Sequence, residues 1–193
     1  MLPGLAGHLV SEAFLEAHLS TLRDAGINRI IDRVHRELIA WRRRTETLGP
    51  ASSLDAMLQV GAAPLVAAFG FDPPADIEPA ERSLAATIRG GSRPAALLVT
   101  SWGDRLDPLW RAAVTQAIAR SAPWCLLFNG THLRAIDARR LFARRHVEFH
   151  VDRTLEDPQT FAACLAVMSP RGLPASDAGT PLHALVEASG RHA

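Results

Sequence analysis

The fold is decided by residues 124–137, which read WCLLFNGTHLRAID. Two strand-like runs, 124–128 and 131–137, flank the dipeptide Asn129-Gly130. Asn-Gly takes up the positive φ angles of a type I′ turn at low energetic cost, so the stretch predicts a β-hairpin with a two-residue turn. This hairpin places a β-sheet at the centre of the fold.

Three more strands are predicted on the two sides of the hairpin. Residues 83–88 and 95–100 are short apolar runs separated by the turn residues 90–92, which is the pattern of two paired strands. Residues 147–151 follow the hairpin and predict another strand. Proline and glycine at 70–74 indicate a turn and an internal boundary.

The remaining apolar residues recur at helical spacing. Between Ile27 and Trp41 they lie three and four positions apart with arginines between them, which predicts an amphipathic helix. Asp107 and Asp157 each precede a proline, so each carboxylate can cap a helix whose first position is that proline. The predicted helices cover residues 11–22, 27–41, 53–69, a stretch from 107 onward, and 157–168.

The order of these elements predicts the fold class. From residue 53 the chain runs helix, strand, strand, helix, strand, strand, strand, helix, which is typical of an α/β or α+β fold with a mixed sheet flanked by helices. We expect three regions. A helical N-terminal extension occupies 1–50, the α/β core 51–168, and a linker with the start of a further helical segment 169–193.

Every basic residue of the chain is an arginine. The 193 residues include 21 arginines but no lysine and no tyrosine, and 20 acidic residues leave a net charge of +1. The lack of lysine excludes Schiff-base chemistry and the phosphate-binding lysine of a P-loop. Balanced charge means that a polyanion site has to be a local patch. GC-rich coding alone also produces an arginine-only composition.

Cysteine usage and hydropathy indicate a cytoplasmic protein. Cys125 and Cys164 lie in apolar surroundings, which predicts two buried thiols rather than a disulfide. No apolar run approaches the roughly 18 residues that a membrane span needs, and the N-terminus lacks a charged signal-peptide segment.

Three stretches carry a resemblance to a known family. They are LVTSWGDRLD at 98–107, the hairpin at 124–137, and ARRHVEF at 143–149. In this order they resemble the N-terminal region of bacterial type IIG restriction-modification enzymes, which join an endonuclease-like domain to an adenine-specific DNA methyltransferase. They are also distantly similar to the nuclease domain of type I restriction motor subunits. The resemblance extends from residue 54 to the C-terminus and is most specific between 94 and 161.

The resemblance implies a PD-(D/E)XK nuclease-like fold and a role in phage defence. In such a nuclease, an acid at the start of one strand and an acid-x-lysine motif on the next hold Mg²⁺ and orient the attacking water. A helix and then a hairpin follow. The strand expected to carry the pair, 95–101, contains neither an acid nor a lysine.

The remaining candidate catalytic acids are therefore displaced from the expected strand. Asp104 and Asp107 follow the strand, and Glu78 lies with Asp76 and Glu81 in a proline-bounded stretch that we expect to be a loop. The chain also lacks the glycine-rich cofactor loop and the Asn-Pro-Pro-aromatic motif of an adenine methyltransferase. We therefore expect a catalytically degenerate module that needs no cofactor, with the methyltransferase portion outside this chain.

Arginines near the hairpin are the candidate DNA contacts, because the planar guanidinium can bind phosphate through two hydrogen bonds. In the alternative interpretation they form a solvated face paired with Asp137, Glu148 and Asp152. Arg42–Arg44 complement the negative end of the preceding helix. The candidate DNA-binding residues are Arg134, Arg139, Arg140, Arg144 and Arg145.

Three hypotheses remain open from the sequence. The first is the degenerate DNA-binding or scaffolding module that acts with a methyltransferase. The second is a Mg²⁺-dependent endonuclease with displaced acids at Asp104 and Asp107 or in 76–81. The third is a protein-interaction module whose helix 27–41 packs on a partner. His146, Glu148 and His150 share one strand face, but no fourth ligand is evident, so we predict no metal site there.

Overall fold

The computed structural model describes residues 2–7, 9, 15, 25–91, 93–139, 145–170 and 173. The strands in these residues are β1 Leu5–Gly7, β2 Ala75–Ala80, β3 Ser83–Ile88, β4 Ala95–Thr100, β5 Trp124–Phe128, β6 His132–Asp137 and β7 His146–His150. The α-helices are α1 Ala25–Arg44, α2 Leu54–Ala56, α3 Ala63–Phe69, α4 Trp110–Ala119, α5 Val151–Glu156 and α6 Pro158–Met168. A π-helical turn, Met57–Ala62, joins α2 to α3, and 3₁₀ turns lie at Thr45–Thr47 and Asp107–Leu109.

The strands form one mixed sheet in the order β1-β7-β6-β5-β4-β3-β2. Neighbouring strands are antiparallel except β4 and β5, which are parallel, with Ala96 opposite Cys125 and Val99 opposite Phe128. Parallel neighbours require a crossover connection, and α4 provides it. The carboxyl ends of β4 and β5 therefore lie at the same edge of the sheet, where the loops that follow them meet.

Helices cover both faces of this sheet. Leu97, Leu126 and Phe128 face one way and pack in a core with α1, α3 and α6. Leu98 and Leu127 face the other way and pack against α4. Because successive side chains of a strand alternate between faces, a central strand covered on both sides has every residue buried, as β4 does. The predicted α/β architecture, a mixed sheet flanked by helices, is confirmed.

Elements from the first 50 residues contribute to this same core. In α1, Val34, Leu38 and Trp41 are buried with the sheet residues. Trp41 Nε1 donates a hydrogen bond of 2.9 Å to the carbonyl oxygen of Gly61, which satisfies the buried indole. At the edge of the sheet, β1 pairs with β7. The helical extension predicted at 1–50 thus supplies both a core helix and an edge strand.

The helix predicted at 53–69 is present, with a π-helical turn at Met57–Ala62 that contains Gly61, and with Pro64 in the first turn of α3. Ser53 caps it, since its Oγ accepts a hydrogen bond of 3.1 Å from the backbone N–H of Ala56. A Cβ at position 61 would lie 2.8 Å from Cε1 of Phe128, so the glycine allows the π-helical turn to approach the sheet closely.

Two predictions about strands are corrected. Residues 76–81, predicted as a loop, contribute most of β2, which lies at one end of the sheet. Proline in this stretch is compatible with a strand because an edge strand leaves part of its N–H groups unpaired. The strand predicted to reach Val151 ends at His150, and Val151 begins α5 instead.

Other features match the sequence or fall outside the described ranges. Cys125 and Cys164 are free, buried thiols, as predicted, and burial raises the pKa of both. No helix in the described ranges is long and apolar enough to cross a membrane. Apart from Leu15, the helix predicted at 11–22 lies outside those ranges, as does most of 169–193.

Candidate functional site

The two loops that follow the parallel strands are tied together by hydrogen bonds. The backbone N–H of Gly103 donates to the carbonyl oxygen of Asn129 at 2.9 Å, and Asn129 Nδ2 donates to the carbonyl oxygen of Asp104 at 2.7 Å. The loop after β4 and the turn after β5 are the centres of the stretches 98–107 and 124–137. The tertiary fold therefore brings these two stretches into contact.

Asn129 organises the hairpin turn in a way that corrects the predicted type. Positive φ occurs at Gly130 but not at Asn129, so these two residues do not form a type I′ turn, which needs positive φ at both. The connection from β5 to β6 spans three residues rather than two. The Oδ1 atom of Asn129 accepts hydrogen bonds from the backbone N–H groups of Thr131 at 3.0 Å and His132 at 2.7 Å. The side chain thus replaces part of the expected backbone turn, as Asx turns do.

Trp102 and Arg42 pack on the same turn. Gly130 has a φ of 86°, and a Cβ there would overlap the Trp102 ring. The guanidinium of Arg42 lies 5.5 Å from the centroid of that ring, and its Nη1 donates to the carbonyl oxygen of Gly130 at 3.2 Å. Arg42 also binds both carboxylate oxygens of Asp152, at 2.5 and 2.7 Å. These contacts join the end of α1 to the hairpin turn.

Arg134 lies at the centre of an ion cluster on the α4 side of the sheet. Its Nε and Nη2 atoms each lie 2.7 Å from Oε2 of Glu148 on β7, and its Nη1 donates to Oδ1 of Asp107 at 2.8 Å. Only 8% of the Arg134 side chain is exposed. Two carboxylates therefore already occupy the donors that a phosphate would need.

The role predicted for Asp107 is also corrected. Asp107 does not cap its helix, because the 3₁₀ turn begins after Leu106 with no side-chain hydrogen bond to its N–H groups. Its carboxylate is drawn across to β6 by Arg134. The hydrogen bond from Arg134 holds the pKa of the Asp107 carboxyl below its usual value. By contrast, Asp157 caps α6 as predicted, accepting from the N–H of Thr160 at 2.7 Å.

We name six residues of these loops and strands the motif cluster: Trp102, Asp107, Asn129, Gly130, Arg134 and Glu148. Two groups of contacts hold them, because Trp102 packs on the turn at Gly130 and Arg134 binds the carboxylates of Asp107 and Glu148. They come from all three stretches of the family resemblance. Their polar atoms bind one another and the neighbouring backbone rather than project into an open cleft. The cluster therefore acts structurally, by fixing the loops at this edge of the sheet.

Histidines extend the motif cluster along β6 and β7. His132 and His150 are opposite one another, with ring centroids 4.8 Å apart in an edge-on arrangement. Burial is the main reason that the pKa of His132 is lowered. The negative charge of Glu148 acts to raise this pKa, whereas His150 and Arg134 lower it further. Thr131 Oγ1 lies 2.9 Å from Nδ1 of His132.

His146, Glu148 and His150 do share one face of β7, since each is half-buried between fully buried neighbours. Glu148, however, is occupied by Arg134. Within the described ranges, no three His, Cys, Asp or Glu side chains are grouped so that they could hold a metal ion.

The displaced catalytic acids do not converge. Asp104 accepts a hydrogen bond of 3.2 Å from Thr100 at the end of β4, whereas the Asp107 carboxylate binds Arg134. Glu78 is on β2, where it pairs with Arg120 at 2.9 Å. The register places Glu78 and Arg134 in one row, four strands apart, which is about 19 Å at the usual strand spacing. Glu78 and Asp107 therefore cannot share a Mg²⁺ ion.

The candidate DNA contacts fall into different environments. Arg139 binds the fully buried carboxylate of Asp137 at 3.0 Å and lies over the Trp124 ring, so it resembles Arg134 in having an internal partner. Arg145 accepts a backbone hydrogen bond from the N–H of Asp137 through its carbonyl oxygen. Arg140 and Arg144 lie outside the described residues.

The sequence predicts Asp137, Glu148 and Asp152 as alternative partners for these arginines. The structure pairs the first two with Arg139 and Arg134 respectively. Asp152 pairs instead with Arg42, a contact that the sequence does not predict. The signal for that pair was weak, because the two residues belong to helices far apart in the chain.

Comparison with known proteins adds no relative: no family model, curated protein or solved structure matches this chain.

Proposed function

We propose that this chain is a nuclease-like module of a DNA restriction-modification protein. In this proposal it does not cleave DNA but works in DNA binding or scaffolding beside a methyltransferase portion outside the chain. The observation that carries the proposal is the motif cluster. Its residues come from the three stretches that resemble type IIG enzymes, and the fold brings them together in two groups of contacts, Trp102 with the hairpin turn and Arg134 with two carboxylates.

The order of the elements supports a PD-(D/E)XK-like origin. The family pattern has a strand with the first acid, a second strand with an acid-x-lysine motif, a helix and then a hairpin. In this chain β3, β4, α4 and the β5–β6 hairpin follow one another in that order. The proposal includes this nuclease-like fold.

The chemistry of the same elements argues against cleavage. All six residues of β4 are buried, and none is acidic or basic. Asp104 lies after the strand, Asp107 is neutralised by Arg134, and Glu78 is at the far side of the sheet. Hydrolysis assisted by Mg²⁺ needs carboxylates that converge on one ion, and these three do not.

A plasmid assay tests the loss of cleavage. We expect the full chain, incubated with supercoiled plasmid and Mg²⁺, to produce neither nicked nor linear DNA. Cleavage that disappears in Asp104→Asn, but persists in a control with the exposed Asp55→Asn, would overturn the proposal in favour of an endonuclease with displaced acids.

The gene neighbourhood and a binding assay test the partner. We expect an adenine-methyltransferase reading frame fused or adjacent to this gene, and co-purification of its product with this chain. A neighbourhood without such a frame contradicts the restriction-modification assignment. A chain that binds a protein partner through α1 but no duplex at low salt points to the interaction-module hypothesis.

A further inference from the structure

The solvent side of α1 is covered by arginines. At 3.6 residues per turn, the side of the helix opposite Val34, Leu38 and Trp41 carries five arginines and one alanine within about 100° of arc. We name this set the arginine stripe, and it consists of Arg29, Arg33, Arg36, Ala40, Arg43 and Arg44. The two acidic residues of the helix, Asp32 and Glu37, lie at its borders.

The charges of the arginine stripe are largely free. All five arginines are exposed. Arg33 has an exposed partner, Glu37, at 3.8 Å, and Arg36 Nε donates to the backbone carbonyl oxygen of Asp32 at 3.3 Å. Within the part of the chain that the structure describes, the side chains of Arg29, Arg43 and Arg44 make no ion pair or hydrogen bond. An exposed pair such as Arg33–Glu37 neutralises little charge, so the stripe presents a strong positive surface.

The shape of the arginine stripe fits a regular polyanion. From Arg29 to Arg44 it is about 22 Å long, since an α-helix rises about 1.5 Å per residue. Over that length duplex DNA carries about 13 phosphate charges. Guanidinium groups suit phosphate because each can donate two parallel hydrogen bonds.

The environment of α1 disfavours a membrane as the source of phosphate. A helix that binds a lipid surface inserts its apolar face between the headgroups. In α1 that face, with Val34, Leu38 and Trp41, is buried in the protein core. The exposed side of the helix therefore offers mainly arginine side chains, and its large exposed apolar residue Ile30 lies outside the arginine stripe.

We propose that the arginine stripe docks along the phosphodiester backbone of duplex DNA without reading its base sequence. The proposal rests on the proposed function only for the choice of DNA among polyanions. It places the DNA on α1 rather than on Arg134 of β6 or Arg139 just after that strand, because carboxylates of the fold already pair with both of these arginines. Backbone contacts of this kind position a protein on DNA but carry no sequence information.

Fluorescence anisotropy with a labelled 20-base-pair duplex at a series of NaCl concentrations tests this proposal. The test variant removes three charges from the stripe by the substitutions Arg29→Gln, Arg36→Gln and Arg43→Gln. The matched control removes three exposed charges elsewhere by the substitutions Arg82→Gln, Arg105→Gln and Arg111→Gln. All six side chains are exposed, so we expect both variants to fold with thermal midpoints close to that of the wild type. Measuring these midpoints checks that both variants are folded.

We expect the stripe variant to bind at least about tenfold more weakly than the wild type at 50 mM NaCl. The slope of log K against log salt should fall by about 2.7 for three lost phosphate contacts. The control should bind within about twofold of the wild type.

Equal losses in the two variants would show that only overall charge matters and would overturn the proposal. So would a wild type that binds phosphatidylserine vesicles but no duplex at 50 mM NaCl, or a stripe variant that binds normally. Plasmid cleavage or a missing methyltransferase would contradict the proposed function and leave the anisotropy result standing.

Discussion

Arginines in two regions of this molecule have opposite roles. In and beside the β5–β6 hairpin, Arg42, Arg134 and Arg139 each bind a carboxylate group of the fold. On the arginine stripe, the guanidinium groups point into solvent. Arg42 and Arg43 are adjacent in the chain yet differ in this way, because one residue advances an α-helix by about 100°. Clustering along the sequence therefore does not tell which arginines are free to bind an anion, whereas the positions of the carboxylates in the fold do.

The largest expected difference between the two regions is in stability. We expect Arg134→Met to lower the free energy of unfolding by about 3 kcal/mol, because it leaves the largely buried Glu148 carboxylate without its partner. Arg29→Met should change it by less than about 0.5 kcal/mol. Urea unfolding of both variants checks this, and similar losses in the two would remove the distinction between paired and free arginines.

The packing of Trp102 on the turn at Gly130 should be the next most sensitive contact. We expect Gly130→Ala to cost about 2 kcal/mol more than Gly103→Ala, because both glycines have positive φ but only the first would overlap Trp102. Chemical unfolding gives the free energy of unfolding of both variants. Because both substitutions introduce the same kind of backbone strain, the difference between their costs measures the clash with Trp102. Equal costs would mean that Trp102 moves away freely.

Neighbouring residues of α1 provide a finer comparison. Arg42→Gln should destabilise the protein by about 1 kcal/mol, because it removes a two-pronged, partly buried contact with Asp152. Arg43→Gln should have an effect below about 0.5 kcal/mol on stability, although it should weaken binding to duplex DNA. If Arg43→Gln is the more destabilising of the two, the division of α1 into a paired and a free side is wrong.

The smallest expected effect is a pH dependence centred on His132. Burial lowers the pKa of this imidazole in the folded state, so the unfolded chain binds the proton first as the pH falls. The stabilising contribution is complete above about pH 6.5 and is lost as the pH falls from there through the lower folded pKa. We expect the free energy of unfolding to fall less steeply between pH 7.5 and pH 5 in His132→Asn than in the wild type. An unchanged slope would assign the pH dependence to other groups.

Much of the architecture follows from local sequence signals. The strands at 83–88 and 95–100 and the cap of α6 by Asp157 are confirmed, since apolar periodicity and capping are local properties. The strand β2 was not predicted, because its proline and two acidic residues are typical of a loop. A proline is tolerated in this strand because it lies at the edge of the sheet.

The motif cluster was less predictable from the sequence. Asp107 has the local pattern of a helix cap, yet its carboxylate binds Arg134 of β6. Asn129 has the local pattern of a type I′ turn, yet its side chain binds four groups, and one of them, the carbonyl oxygen of Asp104, is distant in the sequence. In both residues a polar side chain had a local and a long-range partner available, and the long-range partner exists only once β4, β5 and β6 are aligned.

The sequence by itself determined that this protein is an α/β protein, that all of its cations are arginines, and that the strand at 95–100 contains neither an acid nor a lysine. These properties depend on residue type and spacing along the chain. The tertiary structure alone decided which arginines are free. Pairing of Arg42 with Asp152, and of Arg134 with Glu148, depends on helices and strands that meet only in the fold, because an ion pair requires its two charges within about 4 Å.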